Sequence, residues 1–516
     1  MSISNKRLPA FSIHLPAKAG SPLEKRLWRK DLRTQPKRNF IARITVSLLC
    51  VLIALTPHIW SGLAAQARPL SISDQINAAS PGSVITLEAR TYSEDLIITH
   101  SGTSSSPITL RGAGIDQTII HGRIVLTNSA SSIVIEGLSI DASDSGEDGI
   151  RLTANNAHIT LRNLHLYDGK SSGHYGIRVG DGSSDILIED CHVHHFTGGG
   201  TDSHGIGIMA ARNVTVRRCK IHDNQGDGVQ SNTQDAGLSS PRASNILIEA
   251  NEIYSNTENA IDIKSTLGVQ VIGNTIYHYR PSGSSDGTAI QVQYGARDVV
   301  VSANTVWDAV QGLEVTRGRK NGSDYPEAPD QIKLHHNYFH DTVLDSAAST
   351  GSGNGITLRA GSNIQVYNNT FARIANTGLY LGKASSEKAS NVDVRNNVLQ
   401  GAANDADFSD PASSTPNLIF DYNHYSTGKV DGKTLAHWLG QSVEKHASSG
   451  DPALDANGAP SAGSPLTDSG VNVGLPFSDS APDRGWAEAE ATPAPTATPG
   501  PSPTPMPARQ FLPLLY

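Results

Sequence analysis

Positive charge is scarce over most of this chain. The 516 residues include 41 Lys and Arg against 49 Asp and Glu, but 11 of the basic residues and only two acidic ones lie in residues 1–67. The remainder has 30 basic and 47 acidic groups, a formal charge of about −17 with His neutral. This acidic balance argues against nucleic acid as a partner. An anionic substrate remains possible, because a bound metal ion reverses the local charge.

Long apolar runs are lacking as well. The apolar run at residues 44–56 is shorter than the length that a membrane-spanning helix usually needs. It follows a basic stretch and precedes Ala65-Gln66-Ala67, which is the pattern of an export signal cleaved near Arg68. We therefore expect a signal peptide and basic extension over residues 1–67, with an uncleaved anchor as the alternative. The mature protein is expected to be secreted or on the cell surface, with no stable membrane span.

The third thing missing is a helical pattern between the strands of an internal repeat. Each copy has a Gly or Ala before an alternating apolar strand, a polar bend, a second alternation and then an Asn. Steps of 23 to 33 residues separate successive copies, which is typical of a solenoid whose core is continuous from coil to coil. The repeated Asn fits a bend where its side chain bonds the backbone and its own conformation is left-handed. The column comprises Asn251, Asn274, Asn304, Asn337, Asn369 and Asn397, preceded in register by Leu164, Cys191 and Cys219.

The first strand of each coil can be aligned from Gly149 to Gly382. Period-two alternation places the second and fourth residues of each strand inward and predicts that the third and fifth face solvent as two columns. One strand carries Asp262 and Lys264 at these outward positions.

A second outward column is aromatic or His. We expect either a stack of rings that stiffens the sheet or a platform for sugar rings. Zinc binding by His192, His194, His195 and His222 is a weaker hypothesis, because no ligand spacing is distinctive. The column comprises Tyr167, His194, His222, Tyr254, Tyr277, Trp307 and His340.

Cysteine occurs three times, and Cys50 belongs to the predicted signal. Cys191 and Cys219 share one column in successive coils, where neighbouring strands lie about 4.8 Å apart. Stacked thiols and a disulfide both fit this placement, since export permits the disulfide.

Residues 72–91 predict a short amphipathic helix, a Pro-Gly turn and a strand, as would cover the open end of a solenoid. With the continuation at residues 101–112, this segment resembles the entry of secreted right-handed parallel β-helix proteins of the pectate lyase superfamily. The resemblance implies an all-β, right-handed parallel β-helix of about ten coils. We expect the N-terminal cap and first coils at 68–132, the β-helix at 133–415 and a closing segment that covers the far end at 416–490. A Pro/Thr-rich linker and apolar tail follow at 491–516, and we expect the tail either to attach the protein to the cell surface or to be frayed.

Polar residues of different kinds converge on the central coils. The segment 259–265 reads Asn-Ala-Ile-Asp-Ile-Lys-Ser and is similar to the strand that bears the lysine in calcium-dependent pectate, alginate and chondroitin lyases of this shape. The resemblance implies Lys264 as the base that takes the C5 proton of an acidic sugar, with Arg317 or Arg359 as a cationic contact. Sugar-binding residues are expected at Gln230, Asn232, Gln291, Gln293 and Glu314. Oxygen ligands for Ca²⁺ are expected at Asp227, Glu258, Asn259 and Asp262.

A lysine acts as a base only if its pKa falls toward neutrality. Asp262 on the same face opposes this, so the hypothesis requires a cation that neutralises the carboxylate. Without one, Lys264 and Asp262 form an ion pair of small energetic consequence.

Two other functions remain open. Asp262 and Glu314 stand two coils apart, roughly 9 to 10 Å, near the upper limit for an inverting glycoside hydrolase. A non-catalytic surface protein that binds glycan or only spans space is also consistent with the stalk. We expect an acidic polysaccharide as partner and a monomer in solution.

Overall fold

The computed structural model describes the chain from residue 70 to residue 488, with short gaps. Both the predicted signal region at 1–67 and the predicted linker and tail at 491–516 lie outside the described residues. Within the described part, every helix is too short or too polar to cross a membrane. The described residues are 70–198, 202–233, 241–320, 322–349, 352–384, 387–401, 404–407, 415–426, 429–430, 433–439 and 444–488.

The chain forms a parallel β-solenoid of about twelve turns, which confirms the predicted all-β fold. Each complete turn contributes one strand to a front sheet of 14 strands and strands to two further faces. The front sheet contains Leu96–Ile98, Ile124–Leu126, Ile150–Leu152, Ile177–Val179, Ile206–Met209, Val229–Asn232, Ile261–Lys264, Thr288–Gln293, Gln311–Val315, Asn354–Leu358, Thr377–Leu381, Asn404–Asp407, Lys429–Val430 and Lys433–Thr434.

Two long strands, Ser131–Asp141 and Ala157–Tyr167, join the other two faces into one 26-stranded sheet. Its first turns use Val84–Thr86, Thr91–Tyr92, Ile108–Arg111 and Ile119–His121. The second face continues with Ser184–Glu189, Arg212–Arg217, Ser244–Glu249, Leu267–Ile272, Arg297–Ser302, Asp330–His335, Gly361–Tyr367, Glu387–Arg395 and Ile419–Asp421. The third face has His192–His194, Lys220–His222, Glu252–Tyr254, Thr275–Tyr279, Thr305–Ala309, Tyr338–His340, Thr370–Ala372, Val398–Gln400, His424–Tyr425 and Ser448–Ser449. Arg319–Lys320 with Ser323–Asp324 forms a hairpin beside the front sheet, and Lys383–Ala384 pairs antiparallel with the start of Glu387–Arg395.

The register of the front sheet follows the predicted alternation. Ile177 pairs with Ile206, Val229 with Ile261, and Ile290 with Leu313. These inward side chains are fully buried and form one core with those of the other two faces. Burial of an aliphatic side chain contributes about 1.5 to 3 kcal/mol, so stacked columns of this kind carry most of the stability of the fold.

An uninterrupted ladder of asparagines runs up the bend between the second and third faces. The Asn304 amide donates to the Oδ1 of Asn337 at 2.9 Å, and the backbone N–H of Asn304 donates to the same oxygen at 3.1 Å. The ladder runs from Asn251 through the predicted column and ends one coil later at Asn423. The expected left-handed conformation belongs to the preceding residue, such as Ala303 with φ 56°, because the Asn itself is occupied in backbone hydrogen bonds.

Short helices lie at both ends of the front sheet. The helix Ile72–Asn77 begins after Ser71, whose Oγ accepts from the N–H of Asp74, and it buries Ile72 and Ile76. Asn77 fixes this helix to the first front strand by donating to Ile97 O and accepting from Thr99 N, both at 2.8 Å.

At the other end, the helix Leu435–Leu439 follows the last front strand. The chain then runs back along the outside of earlier coils instead of only covering the end. Asn368 donates to the carbonyl of Asp483 at 2.8 Å, and the Trp486 ring stacks on Tyr338 with centroids 5.7 Å apart. Arg484 is buried and donates to Ser448 Oγ at 2.7 Å.

Candidate functional site

The first outward column of the central front strands is buried and the second, which includes Lys264 and Gln293, is partly buried, which corrects the predicted solvent exposure. Gln230 is 4% exposed, Asp262 1%, Gln291 7% and Glu314 9%. Two loops that follow third-face strands, at residues 280–287 and 341–349, contribute to the covering of this part of the sheet. The loops are joined where Ser349 donates to the Asp286 carboxylate at 2.8 to 2.9 Å.

The covered surface is a polar pocket of about 500 Å³, named here the lysine pocket. Its floor comes from three neighbouring front strands that stand in register, since Asp262 pairs with Gln291 and Gln291 with Glu314. Its lining comprises Asp202, Glu258, Asn259, Asp262, Lys264, Ser282, Gly283, Ser284, Ser285, Asp286, Thr288, Gln291, Gln293, Tyr294, Glu314, Ala347 and Ser349.

Lys264 and Asp262 form a buried ion pair at the centre of the pocket. The Lys264 Nζ lies 2.8 Å from Asp262 Oδ2, and the two side chains are 18% and 2% exposed. Gln293 donates to both oxygens of the same carboxylate at 3.1 Å. Burial raises the pKa of Asp262, although Lys264 and Gln293 oppose it. Burial lowers the pKa of Lys264, but Asp262, Asp227 and Glu258 outweigh it and hold the pKa above its usual range.

Asp227 is fully buried and lies outside the pocket lining. Its Oδ1 accepts from the backbone and side-chain amides of Asn259 at 2.9 Å, and its Oδ2 accepts from Gln230 at 2.8 Å. Both oxygens are thus hydrogen-bonded and Asp227 positions Asn259, while its role as a metal ligand stays a prediction. The backbone N–H of Asp227 donates to His204 Nδ1 at 2.7 Å.

Glu258 and Asn259 face the pocket next to Asp262. Burial and the nearby Asp227 raise the pKa of Glu258 to about 8, so this carboxyl is largely protonated at neutral pH. Ser284 donates to Glu258, and Ser285 donates to Asn259 Oδ1 at 2.9 Å. The site therefore has more buried carboxyl groups than its single amine can keep ionised.

The other predicted residues belong to separate interactions. Glu314 accepts from Gln291 at 2.9 Å and from Arg359 at 2.5 Å, so its carboxylate is occupied. Arg317 donates to the carbonyls of Tyr325 and Pro326 at 3.0 and 3.2 Å, beyond the pocket lining. Asn232 stands next to Gln230 and is likewise not part of that lining. Lys264 is thus the cation that the lining itself contributes.

Sequence reasoning missed Asp202, His204 and the serines at 282, 284 and 285. His204 is 1% exposed, and burial lowers its pKa to about 3. A ring nitrogen of His204 and carboxylate oxygens of Asp227 and Glu258 lie within 4.8 Å of one another. Asp202, His204 and the three serines come from loops that precede front strands. These loops do not follow the repeat, so no column of residues marks their position.

The lining of this pocket carries oxygen donors of the kind that a hard cation such as Ca²⁺ prefers. Ca²⁺ takes six to eight carboxylate, carbonyl and water oxygens at roughly 2.3–2.6 Å. Asp262, Glu258, Asn259 and Asp202 offer such oxygens along one side of the pocket. Burial and Asp227 raise the pKa of Glu258 more than Ser284 and Lys264 lower it, so a further positive charge nearby would favour the ionised carboxylate.

The predicted ring column forms a stack along the third face. Tyr254 and Tyr277 have ring centroids 4.7 Å apart, and Tyr277 and Trp307 have theirs 4.6 Å apart, with interplanar angles of 6° and 15°. The stack continues through His222 and His194 at one end and His340 at the other. The rings therefore stack as predicted, and stiffening of the sheet and a platform for sugar rings both stay predictions. Cys191 and Cys219 are both buried free thiols rather than a disulfide.

Comparison with known proteins gives a family and several distant likenesses. The family described as a right-handed β-helix region matches residues 97–237 and 231–399. An uncharacterized protein of Bacillus subtilis, YwoF, is 27% identical over 340 residues, which cover 62% of this chain and 67% of the relative.

Among solved structures, the pectate lyase Pel9A is similar with a TM-score of 0.41 and 15% identity over 83% of this chain and 93% of its own. A mannuronic acid specific family 6 lyase from human gut microbiota gives a TM-score of 0.48 and 16% identity, covering 74% and 85%. The Streptococcus pneumoniae surface adhesin PfbA gives 0.43 and 13%, covering 66% and 82%. Likenesses of this size do not carry an activity to this chain. The family match, by contrast, extends over more than half of it, and the chain belongs to the right-handed β-helix family.

Proposed function

We propose that this protein is an exported polysaccharide lyase that cleaves a uronate-containing polymer by β-elimination, with Lys264 as the base. The observation that carries the proposal is the excess of buried carboxyl groups around one amine in a covered groove. A sheet with no function would not be expected to bury several carboxyl groups around one amine, because buried charge is costly unless it is paired.

The reaction needs one base and an ordered acidic sugar. The neutral amine of Lys264 takes the C5 proton, the C4–O bond breaks, a C4=C5 double bond forms, and the leaving oxygen takes a proton from solvent. Gln291 and Gln293 on the pocket floor offer amides that can hold sugar hydroxyls. Ser284 and Ser285, from the covering loop, keep Glu258 and Asn259 in place.

The state of the amine sets the requirement for a cation. Asp262 holds Lys264 protonated, and an ammonium cannot accept a proton. A Ca²⁺ ion held by Asp262, Glu258 and Asn259 would supply the positive charge that neutralises both these carboxylates and the uronate carboxylate. The residues Asp262 and Gln293 then position the amine rather than suppress it.

Two arginines of the front sheet lie along the column that leads away from the pocket, and Arg151 is paired with Glu147. Arg178 and Arg151 occupy the same outward column as Asp262, three and four strands away through Gln230 and Gly207. At about 4.8 Å a strand, these guanidinium groups stand roughly 14 to 19 Å along the column, in the direction a polymer would take. Arg178, which lies over the Tyr175 ring, would favour a polyanion over a neutral glycan.

The test is a screen of pectate, alginate and glycosaminoglycans with and without Ca²⁺. The expected result is an ultraviolet-absorbing unsaturated product from one polymer class, which is lost with a chelator and with Lys264→Ala. Lys333→Ala, on a second-face strand, is the matched control and keeps full activity. Reducing ends without the chromophore would indicate hydrolysis, and retention of polymer without fragments would indicate a binding protein; either outcome overturns the proposal.

A further inference from the structure

Four histidines meet on the third face, away from the lysine pocket. Ala157–Tyr167 contributes His165, the next coil contributes His192 and His194, and the following coil contributes His222. His165 stacks on His192 with ring centroids 4.8 Å apart, and His194 stacks on His222 at 5.0 Å. The two outward positions of the central strand thus place imidazoles against imidazoles from both neighbouring coils.

The ring nitrogens point toward one another. His165 Nε2 lies 2.8 Å from His194 Nε2, and His192 Nε2 lies 2.7 Å from His222 Nε2. One ring nitrogen each from His165, His192 and His194 lies within 4.8 Å of the other two. A tetrahedral zinc ion with Zn–N bonds of about 2.0–2.1 Å needs its nitrogens roughly 3.3 Å apart, which small ring rotations achieve from this arrangement.

Two carboxylates fix the orientation of the outer rings. His165 Nδ1 lies 2.8 Å from Asp116 Oδ1, and His222 Nδ1 lies 2.7 Å from Asp223 Oδ2. A carboxylate accepts only, so the Nδ1 of each ring carries the proton and the Nε2 presents a lone pair toward the cluster. A carboxylate behind an imidazole is the arrangement that orients histidine ligands in metal sites.

We propose that His165, His192 and His194 bind a divalent transition-metal ion of the zinc type, with Asp116 orienting His165. His222, with Asp223 behind it, contacts His192 and offers a further imidazole next to this group. Imidazole nitrogen is a preferred ligand of Zn²⁺ and not of Ca²⁺, so this site is chemically distinct from the lysine pocket. It joins two successive coils and its occupancy stabilises their stacking.

The expected ligand set differs from the one that the sequence suggested. His195 meets His194 edge-on and shares only a contact between their Nδ1 atoms, whereas His165 comes from the coil before. Ligands from strands in parallel register are separated in sequence by a whole coil. This is the reason that no short ligand motif marks the site.

The test is calorimetric titration of the full-length protein with Zn²⁺ alone. One ion per chain is expected with micromolar or tighter affinity, and the melting temperature is expected to rise with Zn²⁺ as ligand linkage requires. His192→Gln should weaken binding at least a hundredfold, and Asp116→Asn about tenfold or more. His278→Gln is the control, because it removes an exposed imidazole paired with one carboxylate on the same face.

A second measurement distinguishes the loss of a metal ligand from a folding defect. Co²⁺ bound to the protein should give the visible absorption of a four-coordinate nitrogen site, and His194→Gln should remove it while circular dichroism stays unchanged. Zn²⁺ binding that His192→Gln leaves intact, or no binding at all, would overturn the proposal. Neither readout involves a polysaccharide, so the outcome is independent of the proposed lyase activity.

Discussion

Raising the pH from 6 to 8 in the presence of Ca²⁺ isolates the role of Glu258 in the proposed cation site. Burial and Asp227 raise the pKa of this carboxyl to about 8. At pH 6 about 1% of Glu258 is ionised, and at pH 8 about half of it is. Since Ca²⁺ binds the ionised form, the apparent affinity should increase roughly 50-fold over this range.

The assay is isothermal titration calorimetry at pH 6, 7 and 8 in buffers of different ionisation enthalpy. The comparison of buffers counts the protons that Ca²⁺ displaces, and close to one is expected at pH 6 to 7. Glu258→Gln should bind Ca²⁺ more weakly and lose most of this pH dependence. An affinity that is equal at pH 6 and pH 8 in the natural protein would refute the reasoning, as would a Glu258→Gln variant that still releases the proton.

Two predictions concern stability. Asn304→Ala removes one rung of the ladder and leaves its buried partners Asn274 and Asn337 unsatisfied. It should lower the free energy of unfolding by about 2 to 4 kcal/mol, measured by urea titration against the exposed control Asn472→Ala. A cost below 1 kcal/mol would contradict this role of the ladder. Burial raises the pKa of Glu444 to about 7 from its ordinary 4.5, so its stabilising effect is complete below pH 4.5 and is lost as pH rises through about 7. The loss amounts to about 3 kcal/mol, and Glu444→Gln should abolish that part of the pH dependence; an unchanged profile would show that Glu444 is ionised in the folded protein.

The architecture could be predicted because each coil repeats the same physical solution. Inward residues such as Ile177 and Ile261 follow a period of two along their strands. Stacking the coils in register buries these apolar side chains in every coil. The Asn column was visible for the same reason, since each rung satisfies the next.

The site could be predicted only in part. The sequence placed Asp262, Lys264 and Gln293 on one face but did not predict their burial, because the covering loops at 280–287 and 341–349 carry no repeat. Asp227 precedes a front strand, yet only the structure shows its two oxygens occupied by Asn259 and Gln230. Burial and charge depend on contacts between distant loops, and a column of residue types does not contain that information.

The structure also shows what opposes the action of Lys264 as a base. From the sequence, Asp262 was expected to oppose a low pKa at Lys264, and the ion pair at 2.8 Å does so. The pair is also buried rather than exposed, so it is more than a weak surface contact. Catalysis by Lys264 therefore depends on whatever neutralises Asp262 and Glu258.

The most direct measurement of the central claim is the mass of the smallest oligosaccharide released from a uronate polymer in the presence of Ca²⁺. Elimination gives an unsaturated end that is lighter by one water than the product of hydrolysis. The account predicts the lighter mass with the natural chain and with Lys333→Ala, and none with Lys264→Ala. A product of full hydrolytic mass, or unsaturated product that persists in Lys264→Ala, would contradict it.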